Sequence, residues 1–310
     1  MRREHVVLDA DGLGSFVLAW RALWLRCSAP VFQHPRWALP WVRFASGCIA
    51  HALFEGARLV ALIVLAEREG GLYFLGHPLN DGNEVMAEDS EAASAVLRAA
   101  ATAQRAPLVL EHLLPMGPTA LLLRRAENLR VAWVNAEPCP ILPIGARPGA
   151  RLTERFELER RRFGAVLRCT RPTAAVVETF VGRRLASWQE RGRLEDLGDI
   201  ERDPAFPGAL AGACGALAED GLCHVASLVL DDRVVAEDLY LGGRRNPLLY
   251  MRRYERDSGL SSPGLYLADA VRRKPGVGDI DLGRGFEDYK ARLGAVPATR
   301  LTADVSPASR

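Results

Sequence analysis

The chain has 310 residues, enough to bury a large core and a length that favours two domains over one. Hydrophobic residues make up 49% and charged residues 25%, the balance of a globular protein rather than a disordered one. A net charge of +2 gives no whole-molecule field for nucleic acid, six cysteines without a CxxC pair give no zinc motif, and the longest apolar run, 59–66, falls short of the ~20 residues that span a bilayer. Asp9 and Asp11 interrupt any apolar leader. A cytosolic protein with reduced cysteines, no membrane span and no metal is therefore expected.

In chain order, residues 5–8 read as a strand, and Leu13, Phe16, Val17, Trp20 and Leu23 keep helical spacing up to about residue 26. Pro30, Pro35 and Pro40 break the segment that holds Phe32, Trp37 and Trp41, an aromatic stretch read as core packing. Strands follow at 48–54, 58–66 and 72–75, then a helix over 88–104 with an Ala92, Ala93, Val96, Leu97, Ala100 stripe. A strand at 108–112, a helix at 119–128 and a strand at 130–135 complete the first half. His34, His51, His77 and His112, scattered through the first half, are read as structural.

Prolines at 138, 140, 143 and 148 exclude a helix interior and a central strand, so this stretch is read as a connector between domains 1–145 and 146–310. The second half resumes with a basic helix at 153–163 capped by Thr153, a strand at 165–169 and helices at 173–190 and 204–219. Three strands at 222–230, 233–241 and 247–254 precede a helix from Pro263, a short strand at 279–282 and a helix over 286–293. Both halves share one order: strand, helix, a second helical or aromatic segment, three antiparallel strands, helix, strand, helix. The fold class is α/β, two units that each carry a mixed, largely antiparallel sheet flanked by helices.

The chemistry-bearing residues gather between Tyr240 and Lys290. Ser261-Ser262-Pro263-Gly264 opens a helix, whose first amides and dipole suit an anion, with Arg252, Arg253 and Arg256 just before it; Ser before Pro at a helix start is equally an ordinary cap. Asp238 and Tyr240 share one face of their strand and Glu237 the other, and either carboxylate is a candidate general base or an edge-strand charge in solvent. Asp281 ends a strand beside Gly283-Arg284-Gly285. Glu287, Tyr289 and Lys290 follow on the last helix: Tyr289 can protonate a leaving group or pack in the core, and Lys290 can meet a phosphate or a buried acid. Two of the forty basic residues are lysine, which singles out Lys290, since an ammonium donates as a compact point where a guanidinium cannot. The arginines at 155, 160, 161 and 162, mixed with Glu154, Glu157 and Glu159, read as a solvated helix face.

This element order resembles the GNAT acetyltransferase fold, here as two tandem GNAT-like domains. The second half is similar to the acetyltransferase family associated with cellulose biosynthesis, itself related to the Fem-type aminoacyl transferases. The likeness is carried by Arg160-Arg-Arg-Phe163, Trp188-Gln-Glu-Arg-Gly-Arg193, Ser261-Ser-Pro-Gly264 and Gly285-Phe-Glu-Asp-Tyr-Lys290; Phe32-Gln-His-Pro-Arg-Trp37 and Leu75-Gly-His-Pro-Leu-Asn80 carry it in the first half. Where the family has Asp after the fourth strand, this chain has Glu255. The resemblance implies transfer of an acyl group from acyl-CoA, acetyl-CoA in the simplest case, to the amine of a small molecule or peptide bound between the domains. It places the donor along 249–254 and its pyrophosphate at 257–264, with Arg252, Arg253, Arg256, Ser261, Ser262 and Gly264 as donor ligands. Asp238, Glu237, Tyr289, Lys290 and Asp281 then supply the chemistry, and Tyr240, Glu255, Trp188, Arg284 and Glu287 face the acceptor. Two alternatives stand beside it: a Fem-like transferase drawing on aminoacyl-tRNA, and a catalytically idle GNAT-like binding or scaffold protein.

Overall fold

The computed structural model describes residues 3–68, 70–103, 106–190, 198–255 and 257–308. The chain divides into two compact units, Met1–Glu137 with Thr299–Arg310, and Pro138–Ala298. These units differ from the expected 1–145 and 146–310. The proline-rich connector already belongs to the second unit, and the C-terminal segment returns to the first.

In the first unit β1 (Arg3–Asp9) leads into α1 (Ala10–Leu13) and α2 (Val17–Cys27), and the aromatic segment folds as 3₁₀ turns around α3 (Pro35–Ala38). Then come β2 (Gly47–Glu55), β3 (Arg58–Arg68), β4 (Gly71–Phe74), β5 (Met86–Ala87), α4 (Ser90–Ala103), β6 (Leu108–Leu113), α5 (Pro118–Leu123) and β7 (Leu129–Pro138). The second unit holds β8 (Ile141–Leu142), α6 (Ala150–Phe163), β9 (Val166–Thr170), α7 (Ala174–Glu190), α8 (Asp199–Arg202) and α9 (Phe206–Glu219). It continues with β10 (Cys223–Leu230), β11 (Arg233–Leu241), β12 (Leu248–Tyr254), α10 (Pro263–Arg272), β13 (Ile280–Asp281) and α11 (Asp288–Arg292), after which β14 (Thr299–Pro307) closes the chain.

Each unit has its own mixed sheet. The first is eight-stranded, ordered β1-β2-β3-β4-β6-β14-β7 with β5 against β3, and its β4–β6 pair is parallel. The second is six-stranded, ordered β8-β13-β12-β11-β10-β9. Strand β14, for which sequence analysis assigned no element, runs antiparallel to β6, pairing Ala303 with Leu110 and Val305 with Leu108. Its Leu301, Ala303 and Val305 alternate with polar residues, the period of a half-buried strand, and Ala303 and Val305 are buried. Short β8 fits among the prolines because it is the edge strand, where a missing amide costs no ladder bond.

The first core lies under α4, whose Ala92, Val96, Leu97 and Ala100 are buried with Ile63, Leu65 and Leu110. Trp20, Trp37 and Trp41 are buried too, and the indoles of Trp20 and Trp37 donate to the Gln33 carbonyl and to Asn80 Oδ1 at 2.8 and 2.9 Å, so the aromatic segment is core. His51 on β2 stacks on His5 of β1 with 3.2 Å between ring nitrogens. Burial, with the His5 ring adding, pulls the His51 pKa down to about 4. The folded unit therefore keeps His51 neutral while the unfolded chain protonates near the ordinary histidine value, so this stability is full above about pH 6.5 and is lost as pH falls toward 4. Melting curves between pH 7 and 4 should show the midpoint falling, and His51→Leu should flatten that slope; an unchanged slope in the variant would refute the assignment.

In the second unit Tyr266, Leu267, Ala268 and Val271 of α10 cover Leu228, Ala236 and Leu249 of the sheet. Each buried Leu or Val among them contributes about 1.5–3 kcal/mol. Helix α6 lies alongside, with Phe156 edge-on to Tyr266 at 5.4 Å. It starts at Ala150, a turn earlier than expected, with Gly149 as its cap; the Thr153 hydroxyl instead donates to the Pro148 carbonyl.

Candidate active site

The site grows out of the β11–β12 register, which sets Asp238 opposite Arg252 and Glu237 opposite Arg253. Because side chains alternate, the two acid–base pairs fall on opposite faces of the sheet. On the α10 face, Arg252 donates to both oxygens of Asp238, at 2.7 and 2.8 Å, and the Tyr240 hydroxyl donates to the second at 3.0 Å. Asp238 is fully buried. Burial works against the Arg252 charge, but the Asp238 carboxylate outweighs it and holds the guanidinium above its ordinary pKa. Burial, reinforced by Asp238, likewise keeps Tyr240 protonated. Both oxygens of Asp238 and the Arg252 fork are engaged, so neither is free to take a substrate proton or a phosphate; they form the buried anchor of the site.

Gly264 explains how α10 sits so close to this anchor. A Cβ there would lie 3.0 Å from Arg252 Cδ and 3.4 Å from Tyr254 Cδ1. The glycine of the Ser-Ser-Pro-Gly run thus serves helix-on-strand packing.

On the opposite face, buried Glu237 accepts from Arg253 at 3.2 Å and from Arg183 of α7 at 3.3 Å, while Glu255 joins Arg253 at 3.0 Å and Arg233 at 2.9 Å. Arg253 is therefore also committed to acids. Trp188 lies on α7 under the Arg184 guanidinium at 4.8 Å, and Arg184 reaches the Arg252 carbonyl at 3.3 Å. Arg256 and residues 191–193 of the expected motif lie outside the described residues.

Next to this face the sheet opens. Among the described residues β12 pairs with β13 at a single position, Leu248 with Asp281, although β12 runs on to Tyr254. On the β11 side a bulge places one extra residue, Tyr250, between Leu249 and Met251. Beyond Leu248 the two strands part.

The rim of the opening is the turn after β13. Asp281 Oδ1 accepts from the Gly283 amide at 2.9 Å, and Gly283 and Gly285 both take positive φ, which favours glycine. Lys290, 2% exposed, donates to the carbonyls of Arg284 at 2.7 Å, Gly285 at 2.9 Å and Gly283 at 3.4 Å, and meets Glu287 Oε2 at 3.0 Å. Its donors are used up in gathering this turn. That departs from the expectation of a phosphate or a buried acid as its partner: the ammonium wraps backbone carbonyls, and its acid, Glu287, is exposed. Tyr289 lies 5.9 Å from Arg252 across its ring, and burial pushes its pKa up to about 12. It is a protonated hydroxyl beside the opening.

At the start of α10, the Ser262 side chain makes no capping bond. The Ser261 amide and hydroxyl both donate to Glu159 Oε1 of α6, at 2.9 and 2.5 Å. A carboxylate therefore stands where a donor phosphate was expected. Arg155 approaches the Ser261 hydroxyl at 3.5 Å. Sequence reasoning passed over Glu159 because the mixed charges of α6 read as a solvated face; its partner lies 102 residues away.

Residues 151–291 match the family model described as acetyltransferase (GNAT) domain. Among solved structures, FemX is 13% identical, covers 98% of this chain and 97% of its own, and superposes with a TM-score of 0.67. A conserved protein of unknown function from Bacteroides thetaiotaomicron is 10% identical over 94% of this chain and 97% of that one, with a TM-score of 0.64. L-PGS from Bacillus licheniformis is 14% identical over 79% and 81%, with a TM-score of 0.55. At these identities the likeness is one of fold. No curated protein matches the sequence. The stretch that matches this model lies within the second unit, and the chain as a whole is a pair of mixed α/β units, each a sheet flanked by helices. Among the described residues no helix is long and apolar enough to cross a membrane, and no three His, Cys, Asp or Glu side chains gather as a metal site.

Proposed function

We propose that the second unit moves an acyl group from acyl-CoA to an amine, as a member of the cellulose-biosynthesis-associated branch of the GNAT acyltransferases. The observation that carries this reading is the opening between β12 and β13. Backbone amides of β12 that line this opening are fixed donors, preorganised to hold a thioester carbonyl and the oxyanion that forms when an amine attacks it. Tyr289, held protonated by burial, donates its proton to the departing thiolate. Asp281 and Lys290 shape the rim by fixing the Gly283–Gly285 turn, and Arg284, Glu287 and Glu255 offer charges to the acceptor. Of the two acids on β11, Glu237 retains the role of base candidate; it meets Arg183 and Arg253 at 3.3 and 3.2 Å, whereas both oxygens of Asp238 are held by Arg252 at 2.7 and 2.8 Å.

The experiment is a melting series of the full chain with acetyl-CoA, because a ligand that binds only the native state raises stability, by about 2.7 kcal/mol at 100 Kd. A rising midpoint is expected, and none at about 5 mM ligand would sink the reading. Tyr289→Phe should keep that shift and lower kcat roughly a hundredfold, with KM little changed; full turnover in this variant would remove Tyr289 from the chemistry. A second reading, an aminoacyl-tRNA donor as in Fem-like transferases, is favoured by the Glu159 carboxylate at the amide where a diphosphate would bind. It predicts transfer that stops on RNase treatment and weakens steeply with salt.

A further inference from the structure

Strand β1 is an outer edge of the first unit's sheet: among the described strands it pairs with β2 alone. It does so in unbroken register, from Arg3 opposite Glu55 to Asp9 opposite Ile49, so its seven residues form regular strand without a bulge. Folded chains protect an edge with proline, a bulge, short length or charge, because its outward N–H and C=O groups are a template for another chain. β1 has neither proline nor bulge, and its Val7 is 50% exposed. What it does carry is charge, Arg3 and Glu4 at one end and Asp9 at the other.

Those charges complement a second copy of the same strand. A two-fold axis that continues the sheet keeps every side chain on its own face, so an antiparallel register must centre on a residue. Centred on Val6, the register uses the whole strand: Val6 meets Val6, His5 meets Val7, exposed Glu4 meets Leu8, and Arg3 meets Asp9 at both ends. Centred on Val7, Arg3 and Glu4 fall outside the pairing; centred on His5, Leu8 and Asp9 fall outside and the two His5 rings oppose. Both charged ends can take a partner. The Arg3 side chain reaches Asp89 at 2.7 Å and is still 27% exposed, while exposed Asp9 gives Oδ1 to the Gly12 amide at 2.9 Å and keeps Oδ2 for a cation. We propose that the chain forms a symmetric dimer in which β1 pairs antiparallel with β1 of a second copy, centred on Val6, and joins the two first-unit sheets into one. Opposite charges directly across such a pair stabilise it, and the exposed Val7 is covered. The pairing uses residues of the first unit only, so the inference goes beyond the acyl-transfer reading and does not need it.

The test is sedimentation velocity of the full chain from about 1 to about 100 µM, with two cysteine reporters of register. A species of twice the chain's mass is expected to grow with concentration. Val6→Cys should then form a disulfide with its own copy under oxidised glutathione, and at least about tenfold faster than Val7→Cys, because the two residues at position 7 would lie about 7–8 Å apart, beyond the reach of the bond. Peptide masses separate this link from any made by the six native cysteines. Asp9→Asn keeps the side-chain oxygen that caps Gly12 and removes the charge, so it should weaken the dimer about threefold to tenfold and flatten its dependence on salt. A chain still monomeric at about 100 µM leaves this edge to another occupant and overturns the proposal. So does a dimer in which Val7→Cys links as fast as Val6→Cys, or one that Asp9→Asn leaves at full strength. The sedimentation of the unmodified chain needs no variant to fold.

Discussion

Asp238→Ala is expected to destabilise the second unit by about 3–5 kcal/mol, the cost of breaking a buried ion pair by removing one partner. The substitution strands the Arg252 guanidinium, whose side chain is 13% exposed, without the carboxylate that takes two of its N–H groups. It also removes the acceptor of the buried Tyr240 hydroxyl. A loss of this size approaches the whole stability of a typical domain, so the variant should unfold at temperatures where the parent chain is native. The companion change separates charge from packing. Asp238→Leu combined with Arg252→Met removes both ions and keeps most of the volume, and it should recover much of the loss because the desolvation of two charges disappears with them. Urea unfolding of the two single variants and the double variant closes a mutant cycle. A double variant no more stable than its worse single parent would refute the account of the pair.

Lys290→Met is the second large effect, expected at about 3 kcal/mol with turnover lost. The variant fills nearly the same space but leaves the carbonyls of Gly283, Arg284 and Gly285 without their shared ammonium. Lys290→Arg should fail nearly as badly, since a planar fork cannot converge on three carbonyls gathered around one point. The readout that distinguishes a positioning role from general damage is the split between parameters. The Arg variant, if folded, should raise KM for the amine more than for acetyl-CoA, because the proposed function puts the donor along β12 and the acceptor at the rim that this turn forms. Equal changes in both would make Lys290 a fold residue alone.

Much of the fold was legible from periodicity. The Ala92–Ala100 stripe of α4, the alternating strands β10, β11 and β12, and the Asp231-Asp232 and Gly242-Gly243 turns between them were readable in the sequence, and each unit repeats one element order. What was illegible depends on contacts distant along the chain. The alternation of Leu301, Ala303 and Val305 was present, but that it joins a sheet by pairing with Leu108 and Leu110 depends on a strand far earlier in the chain. The same limit held at the site. Asp238, Tyr240, Arg252, Tyr289 and Lys290 were visible as residues, and their crowding between Tyr240 and Lys290 marked the right region. Their partners were not visible, because the bulge at Tyr250 sets which arginine faces which acid, and a one-residue shift would have exchanged the two faces. Lysine scarcity pointed to Lys290, yet its three carbonyl acceptors became apparent only from the turn geometry.

The central claim is that the β12–β13 opening receives the acyl donor, and hydrogen exchange of the backbone amides reads it directly. Adding saturating acetyl-CoA should slow exchange within 249–254 and in the Gly283–Gly285 turn, by tenfold or more for amides that gain a hydrogen bond, while the strands of the first unit stay unchanged. Protection confined to the first unit, or none in 249–254 when the melting midpoint shows the ligand bound, would contradict it.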